Sequence, residues 1–317
     1  MGTDKRIAVI GECMIELRPN ITAAGYTEST IDAQIAYGGD TLNVATYLAR
    51  QGIGVDYVTM LGDDPLSDWM VNQWKSNGVG CELVRREERG LPGMYWINID
   101  ASGERSFYYW RLESPARRLI NDAARRSQVF EQLSQFDSLY FSGITLSLYH
   151  AEGREKLFEF LASYREEGGQ VVFDNNFRRL GWPDEAEART AFEAMYRITD
   201  IALPSADDDR QLFNDDSNDA VIERLRSWGI REIVLKIGGE GSLVAHESEV
   251  THVPPALVDE VVDTTAAGDS FNAGYLAARL GDVSPVEAAG NGSRLAALVV
   301  QHRGAIIPRD VMAQADT

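Results

Sequence analysis

The chain has 317 residues, and 49 aspartates and glutamates outnumber 30 lysines and arginines to give a formal net charge of −19. This excess of acid argues against a surface for nucleic acid or an anionic membrane, because such surfaces need clustered cations. Two cysteines are too few for a disulfide framework or a zinc site, and no apolar run is long enough to span a bilayer. We therefore expect a cytoplasmic protein with a single large α/β domain over residues 1–317.

Short extended segments dominate the first 111 residues. Apolar residues 7–10 predict a buried strand, of the kind that opens many doubly wound proteins. The segments suited to a smaller sheet are half-alternating or aromatic, and the last two flank a Ser-Gly turn typical of a hairpin: 13–18, 30–36, 94–100 and 105–111. Together they predict a small β-sheet lid formed by about 13–37 and 91–111, whose other face is a candidate subunit contact.

From about residue 121 the pattern alternates helices with apolar strands. Such alternation is typical of a mostly parallel sheet covered by helices on both faces. Strands are predicted at 138–142, 170–174, 201–203, 232–237 and 242–245. Ligands bind at the carboxyl ends of such strands, so the polar segments that follow them are candidate site segments: 174–178, 204–208 and 236–242.

The strongest functional signal is the stretch 263–271, with the sequence DTTAAGDSF. It follows the β-branched residues 258–262, predicted as a strand, and precedes an apolar helical stripe. Small residues at Ala266, Ala267 and Gly268 let backbone N–H groups and the positive end of the helix dipole converge on an anion. Asp269 beside that anion is either a proton acceptor or a helix cap.

A second glycine-containing stretch lies near the N-terminus. Gly38 and Gly39 precede a predicted helix that Asp40 or Thr41 would cap, with Asn43 one turn in. Glycine lets a ligand approach the backbone, where Asn43 would bind it, and a plain turn is the alternative. The Gly-rich segment 238–241 is either a nucleotide-binding turn or a simple hairpin. The chain has no Walker A loop and no Rossmann fingerprint, so any phosphate site must be of another type.

Both stretches resemble the two signatures of the ribokinase-like (PfkB) sugar kinases, in the same order and with a similar separation. Within that family, residues 108–111 and 174–178 most resemble 2-keto-3-deoxygluconate kinases. The resemblance implies a ribokinase-like fold and phosphoryl transfer from ATP to the terminal C6 hydroxyl of that acid. Fructokinase or ribokinase activity is the alternative, and a non-catalytic sugar-binding regulator is a remote one.

The resemblance also implies roles for individual residues. Asp269 would be the catalytic base, and the amides of Ala266, Ala267 and Gly268 would form the anion hole. The sugar acid would contact Gly38, Gly39, Asn43, Tyr95, Tyr109, Arg111, Arg178 and Asp269. The nucleotide would contact Asn176, Lys236, Gly238, Gly241, Ala266, Gly268 and Asn291.

Arginine is physically suited to the acid substrate, because Arg111 and Arg178 can pair with a carboxylate or a phosphate. A surface ion pair is the plain alternative for each. Asp208 would hold Mg²⁺ through water, a K⁺ site near 262–264 stays open, and the lid would pair copies into a dimer or a larger homo-oligomer. The chain departs from the family where Ala266 replaces a usual glycine and Asp208 replaces a longer acid.

Overall fold

The computed structural model describes residues 4–19, 29–99 and 105–315, so the predicted hairpin turn at 101–104 lies outside the described residues. The strands are β1 Arg6–Ile10, β2 Met14–Pro19, β3 Ala33–Gly38, β4 Gly54–Gly62, β5 Val84–Glu87, β6 Met94–Ile99, β7 Arg105–Trp110, β8 Ser138–Ser142, β9 Gln170–Asp174, β10 Ile201–Ala202, β11 Glu232–Lys236, β12 Ser242–His246 and β13 Glu249–Val253. The helices are α1 Asp40–Arg50, α2 Pro65–Ser76, α3 Arg118–Asn121, α4 Ala123–Leu133, α5 Gly143–Ser147, α6 Ala151–Glu166, α7 Glu185–Tyr196, α8 Ala206–Phe213, α9 Asn218–Ser227, α10 Ala267–Leu280, α11 Pro285–Val299 and α12 Arg309–Ala315.

Nine of the described strands form one sheet in the order β13-β12-β11-β10-β9-β8-β1-β4-β5. All of its pairs are parallel except those of β12 with β11 and with β13. Successive residues of β1 face opposite apolar layers: Ala8 and Ile10 enter one, and Ile7 and Val9 enter the other. A parallel sheet buried on both faces requires such uniformly apolar strands. The predicted α/β fold is confirmed.

The remaining four strands form the predicted small sheet, in the order β3-β2-β6-β7. Its register places Glu16 beside Tyr95, and Tyr95 beside Tyr109, so these three side chains share one face. Ile35 and Tyr108 lie on the other face and are about half exposed. The small sheet thus has one polar and aromatic face and one apolar outer face.

Two local predictions were wrong. Residues 258–262 form no strand: Val261 and Val262 are largely exposed, and the Val262 N–H donates to the Val300 carbonyl oxygen at 2.8 Å instead of to a ladder. The last strand is β13, which the sequence did not predict.

The predicted side-chain cap of α1 by Asp40 or Thr41 was also wrong. Helix α1 begins after Gly39 with no side-chain cap, and the Asp40 carboxylate accepts a hydrogen bond from Asn176 instead.

Other helix ends formed as the sequence predicted. The Asp64 carboxylate accepts from the N–H groups of Leu66 and Ser67, and Pro65 opens α2. Ser284 caps α11 in the same way. Among the described residues, no helix has the length and apolar character that crossing a membrane would need.

Candidate active site

The turn that carries Asp269 opens α10. Ala266 precedes the helix with a backbone φ of 61°, in the left-handed region that favours glycine. The N–H of Ala267 donates to the Thr264 carbonyl oxygen at 3.2 Å, so it is engaged within the turn. Among the described residues, the N–H groups of Gly268 and Asp269 donate to no backbone oxygen. Two unpaired amides at the positive end of a 14-residue helix can bind an anion.

The Asp269 carboxylate is buried and faces the other glycine-containing stretch. It accepts a hydrogen bond from Asn43 Nδ2 at 2.8 Å, across 226 residues of chain. Burial, and next the charge of Asp40, raise the pKa of Asp269 to about 8, against the opposing effects of Asn43 and Lys236. A buried carboxyl with a pKa near neutrality can exchange its proton with a substrate hydroxyl. The structure thus brings together Asn43 and Asp269, as the two motifs predicted.

The glycine pair before α1 is explained by contacts within the protein. A Cβ added at Gly38 would collide with the Tyr95 hydroxyl, and one added at Gly39 would collide with the Glu12 carbonyl oxygen. Glycine at these positions lets the small sheet and the end of β1 approach α1. The same packing places the N-terminal turn of α1 next to the turn that carries Asp269.

A buried polar network lies beneath the turn, and the sequence did not predict two of its members, Tyr140 and Asn272. Lys236 Nζ donates to Asp174 Oδ1 at 3.1 Å and to Asn272 Oδ1 at 3.0 Å. Asn272 Nδ2 donates to Asp174 Oδ2 at 2.8 Å and to the Tyr140 hydroxyl at 3.0 Å. The available signal was spacing, since Asn272 follows Asp269 by three residues on one helix face.

Lys236 brings a positive charge to the turn that carries Asp269. It ends β11, and a Cβ added at Gly268 would lie 3.6 Å from Lys236 Nζ. The ammonium group therefore adjoins the backbone whose amides are unpaired. Because the Lys236 amine donates hydrogen bonds to Asp174 and Asn272, its position is fixed before any anion binds.

Asp40 is a further acid close to Asp269. It accepts a hydrogen bond from Asn176 Nδ2 at 2.8 Å. The amide of Asn176, which the sequence predicted as a nucleotide ligand, is therefore engaged by Asp40. Burial is the main cause that raises the pKa of Asp40, and the nearby charge of Asp174 adds to it, while hydrogen bonding to Ser142 opposes it. Three carboxyl groups, those of Asp40, Asp174 and Asp269, thus influence one another at the carboxyl edge of the sheet.

Asp208 lies in the first turn of α8 and faces the same edge. Burial raises its pKa and the neighbouring charge of Asp174 adds to this, whereas Arg178 and Lys236 oppose the shift. Arg178 Nη1 is 3.4 Å from Asp208 Oδ2 and donates to the Phe177 carbonyl oxygen at 2.8 Å, and its side chain is 58% exposed. The structure therefore places Arg178 next to the acid predicted to bind magnesium.

The residues fit Mg²⁺ only as part of a metal–phosphate complex. The described part of the chain holds no group of three or more His, Cys, Asp or Glu side chains that could hold a metal ion. Mg²⁺ usually keeps several waters and binds one or two carboxylates together with phosphate oxygens. The carboxylate oxygens of Asp208, with Asp174 nearby, match this arrangement.

The other end of the site lies under the small sheet. Arg111 forms an ion pair with Glu12, which is 3% exposed and also accepts from the Ser114 hydroxyl. The Tyr95 hydroxyl donates to Glu16, and the rings of Tyr95 and Tyr109 lie 5.9 Å apart. Neither glutamate was predicted, because each pairs with a residue far away in the sequence.

Arg111 and Arg178 do not meet. Each is paired with its own acid, Glu12 or Asp208, and no contact joins the two arginines among the described residues. The sequence predicted that each arginine can meet the sugar acid or a phosphate, and that prediction stays open for both.

The glycine loop after Lys236 forms a hairpin between β11 and β12. Gly238 and Gly241 have φ of 61° and 96°, and a Cβ at Gly241 would collide with the Val253 carbonyl oxygen. Asn291 lies on α11, where its side chain accepts from Arg294. The hairpin adjoins the strand end that carries Lys236.

Comparisons with known proteins identify the family of this chain and agree with its fold. A family model described as pfkB family carbohydrate kinase matches residues 4–312. The 2-dehydro-3-deoxygluconokinases of Dickeya dadantii and Escherichia coli are each 42% identical to this chain, covering 98% and 97% of it and 99% of their own lengths. That of Haemophilus influenzae is 39% identical, covering 96% of each chain.

Solved structures share the fold. The aminoimidazole riboside kinase of Salmonella enterica, in complex with aminoimidazole riboside and an ATP analogue, superposes with a TM-score of 0.81 at 23% identity, covering 99% of this chain and 100% of that one. A putative ribokinase II from E. coli, in complex with ATP and Mg²⁺, gives 0.80 at 21% identity, covering 95% and 94%. The match along almost the whole length, with both motifs in place, shows that this chain belongs to the PfkB family of carbohydrate kinases.

Proposed function

We propose that the protein phosphorylates 2-keto-3-deoxy-D-gluconate, also called 2-dehydro-3-deoxygluconate, on its C6 hydroxyl with ATP as donor. The relatives that carry this name at 39–42% identity cover nearly the whole chain. The structural observation that supports transfer most directly is the buried Asp269 beside the unpaired amide of Gly268 and the ammonium of Lys236. Such a constellation serves an attacking hydroxyl on one side and a phosphoryl group on the other.

Asp269 is the proposed general base. In its ionised form it accepts the proton of the C6 hydroxyl as the oxygen attacks phosphorus. Asn43 orients the carboxylate through its hydrogen bond at 2.8 Å. Because the pKa of Asp269 is about 8, its ionised fraction rises steeply between about pH 6 and about pH 8.

The remaining groups at the turn stabilise negative charge. The amides of Gly268 and Asp269 and the Lys236 ammonium face the phosphoryl oxygens in this proposal. Asp208 would hold Mg²⁺ through water, and the bound ion neutralises charge on the phosphates. The structure of the E. coli putative ribokinase II with ATP and Mg²⁺ supports these two ligands here.

The nucleotide would lie along the edge formed by Lys236, Gly238 and Gly241, with Asn176 and Asn291 nearby. The sugar acid would lie under the small sheet, against Tyr95, Tyr109 and Arg111. Arg178 would meet either the acid or a phosphate. The small sheet acts as a lid in this proposal, because covering the hydroxyl excludes water, a competing acceptor.

Steady-state assays of ADP release over a panel of sugars and sugar acids test the proposal. The keto-deoxy acid should give the highest kcat/KM, and Asp269→Asn should lower kcat by about 10³-fold or more while ligand binding persists. Faster turnover of fructose or ribose would refute the choice of substrate. Absence of turnover with every sugar would favour a binding protein instead.

We also propose that two copies pair through the outer face of the small sheet. Ile35, Tyr108 and Trp110 are 51%, 56% and 60% exposed there, which is unusual for large apolar side chains on one surface. Trp110→Glu should shift the mass measured by light scattering toward the monomer, and an unchanged mass would contradict this interface.

The use of ATP as donor suits a cytoplasmic location. A comparison of rates in K⁺ and Na⁺ buffers tests whether the enzyme needs a monovalent cation.

A further inference from the structure

The backbone ladder between β9 and β10 ends just before two segments of the candidate site, 175–178 and 204–208. Strand β10 is only two residues long, and just after it the Leu203 N–H donates to the Phe173 carbonyl oxygen at 2.8 Å. Beyond that bond, no backbone hydrogen bond joins the two segments among the described residues. The position of one segment relative to the other therefore depends on side chains.

The side-chain amide of Asn175 joins the two segments. Its Oδ1 accepts from the N–H of Asn176 at 2.8 Å and from the N–H of Ser205 at 2.9 Å. Its Nδ2 donates to the Ser205 carbonyl oxygen at 2.9 Å and to Asp209 Oδ2 at 3.0 Å. An amide that accepts two hydrogen bonds and donates two has used its full capacity. These four hydrogen bonds are called the Asn175 clamp below, and through them the side chain pairs with Ser205 as a neighbouring strand would.

Asp209, at the far side of the clamp, is fixed in the core. It lies on α8 and is 1% exposed. The hydroxyl of Tyr196, the last residue of α7, donates to Asp209 Oδ2, and Arg224 on α9 donates to Oδ1. Arg224 also pairs with Asp215 at 2.6 Å. A buried carboxylate needs such a cation and such donors, and with them it gives the Asn175 amide a rigid acceptor.

The Asn175 clamp fixes the backbone that carries the predicted magnesium acid. The Ser205 carbonyl oxygen also accepts from the Asp209 N–H at 3.0 Å, which closes the first turn of α8, where Asp208 lies. On the other side of the clamp, Asn176 has a backbone φ of 24°, in the left-handed region. A residue other than glycine keeps such a conformation only where surrounding bonds hold it. Both segments are thus held at their first residues.

The Asn175 clamp also reaches a third strand. Ser205 pairs with Lys236 in an isolated parallel bridge, and the Lys236 N–H donates to the Pro204 carbonyl oxygen at 2.8 Å. The amide of Asn175 therefore links, through Ser205, the carboxyl ends of β9, β10 and β11. These three strand ends precede the groups proposed above for the metal ion and the phosphates.

We propose that Asn175 is a positioning residue for the metal–phosphate complex: its amide sets the place of Asp208, at the start of α8, relative to the end of β9. This inference rests on the proposed function, from which it takes the role of Asp208, and it deepens that function with a residue outside both motifs. The place of a group that holds the metal matters because a shift of about 1 Å can lower a rate by about 10²-fold.

Asn175→Leu tests the inference, because leucine has a similar shape and makes none of the four hydrogen bonds. Calorimetric titration with a non-hydrolysable ATP analogue gives its Kd in Mg²⁺ and in EDTA. The variant should raise the Kd in Mg²⁺ by about 10- to 100-fold and the Kd in EDTA by less than about threefold. The half-saturating Mg²⁺ concentration for ADP release should rise as well, with the KM for the sugar changed less than about threefold.

Asp200→Leu is the matched control, because Asp200 joins the same two strands at the opposite edge of the sheet. Its Oδ2 accepts from the Val171 N–H at 2.9 Å, and its Oδ1 pairs with Arg165 at 2.8 Å. Asp200→Leu should lower the free energy of unfolding, as Asn175→Leu should, because both leave a buried N–H without its acceptor. It should leave both Kd values and the Mg²⁺ requirement within about threefold of wild type.

The outcomes separate the inference from the proposed function. If Asn175→Leu raises both Kd values equally, keeps the wild-type values, or is matched by Asp200→Leu, the inference is wrong and the proposed function stands. If wild type phosphorylates another sugar in place of the acid, the choice of substrate fails, and the titrations still decide the role of Asn175. Absence of Mg²⁺-dependent binding in wild type would refute both.

Thermal unfolding identifies variants that do not fold. Should Asn175→Leu be among them, Asn175→Asp takes its place and is judged by the same Kd values. Aspartate keeps the two hydrogen bonds that the side chain accepts, and in its ionised form it cannot make the two that asparagine donates.

Discussion

Replacing Asp269 by asparagine should stabilise the folded protein, and the gain should grow with pH. Burial, and next the charge of Asp40, raise the pKa of Asp269 to about 8, whereas an aspartate in an unfolded chain has a pKa of about 3.9. Between these values the folded state keeps a proton that the unfolded state has released, so rising pH favours unfolding. Asparagine can still accept the hydrogen bond from Asn43, but it has no proton to lose.

The magnitude follows from proton linkage. A difference of one bound proton changes the free energy of unfolding by about 1.4 kcal/mol per pH unit. The wild-type protein has its full stability from this group below about pH 4 and loses it as pH rises toward about 8. The free energy of unfolding of Asp269→Asn should therefore exceed that of wild type by about 3 kcal/mol more at about pH 7 than at about pH 5.

Urea unfolding at several pH values, followed by tryptophan fluorescence and by circular dichroism, measures this difference. Coincident transitions in the two signals establish that a two-state analysis applies. Asp216→Asn is the control, because it removes one negative charge from an exposed position. A difference between Asp269→Asn and wild type that stays constant from about pH 5 to about pH 8 would refute the electrostatic account of Asp269.

Three further predictions concern the same edge of the sheet. Asp40→Asn should lower the pKa of Asp269 and move the acid limb of the pH profile of kcat/KM to lower pH; an unmoved limb would contradict the coupling. Ala266→Gly should relieve the left-handed backbone and raise the free energy of unfolding, measured with urea, by about 1 kcal/mol, whereas Ala277→Gly, inside the same helix, should lower it by about as much. Lys236→Met should lower kcat by about 10²- to 10³-fold at saturating ATP, and an effect confined to the KM for ATP would mean that the amine binds the ground state only.

The sequence predicted the turn that carries Asp269 and the helix after it because their signal is local. Small residues, an acid and a helical stripe follow one another within 263–280, and each of these signals spans only a few residues. The order and spacing of the two motifs, read as a family pattern, then placed Asn43 and Asp269 in one site, and they lie 2.8 Å apart. The small sheet was predictable for the same reason, since alternation and a hairpin signature are local patterns.

The sequence could not predict the partners of the site residues. Glu12 follows β1 without any motif, and its pairing with Arg111 joins positions 99 residues apart. Arg178 was predicted to meet an acid or a phosphate, and the sequence did not predict that its guanidinium would lie 3.4 Å from Asp208. Residues 258–262 have strand composition, yet they form no strand, and residues 259–262 are exposed. In each case, contacts between residues far apart in the sequence determined the pairing or the conformation, and a short stretch of sequence carries no signal for such contacts.

The two ends of the site handle charge in different ways. Both ligands are anions that approach a chain with a formal charge of −19, so each needs a local source of positive potential. In the proposed mechanism, Lys236 and the helix amides beside the phosphates lie among carboxylates, and Asp269 accepts the proton of the hydroxyl only after it has released its own proton to solvent. The cations proposed for the sugar acid are arginines, which stay charged at any physiological pH. In this proposal, the charge beside the phosphates therefore varies with pH through Asp269, while the charge of the arginines does not.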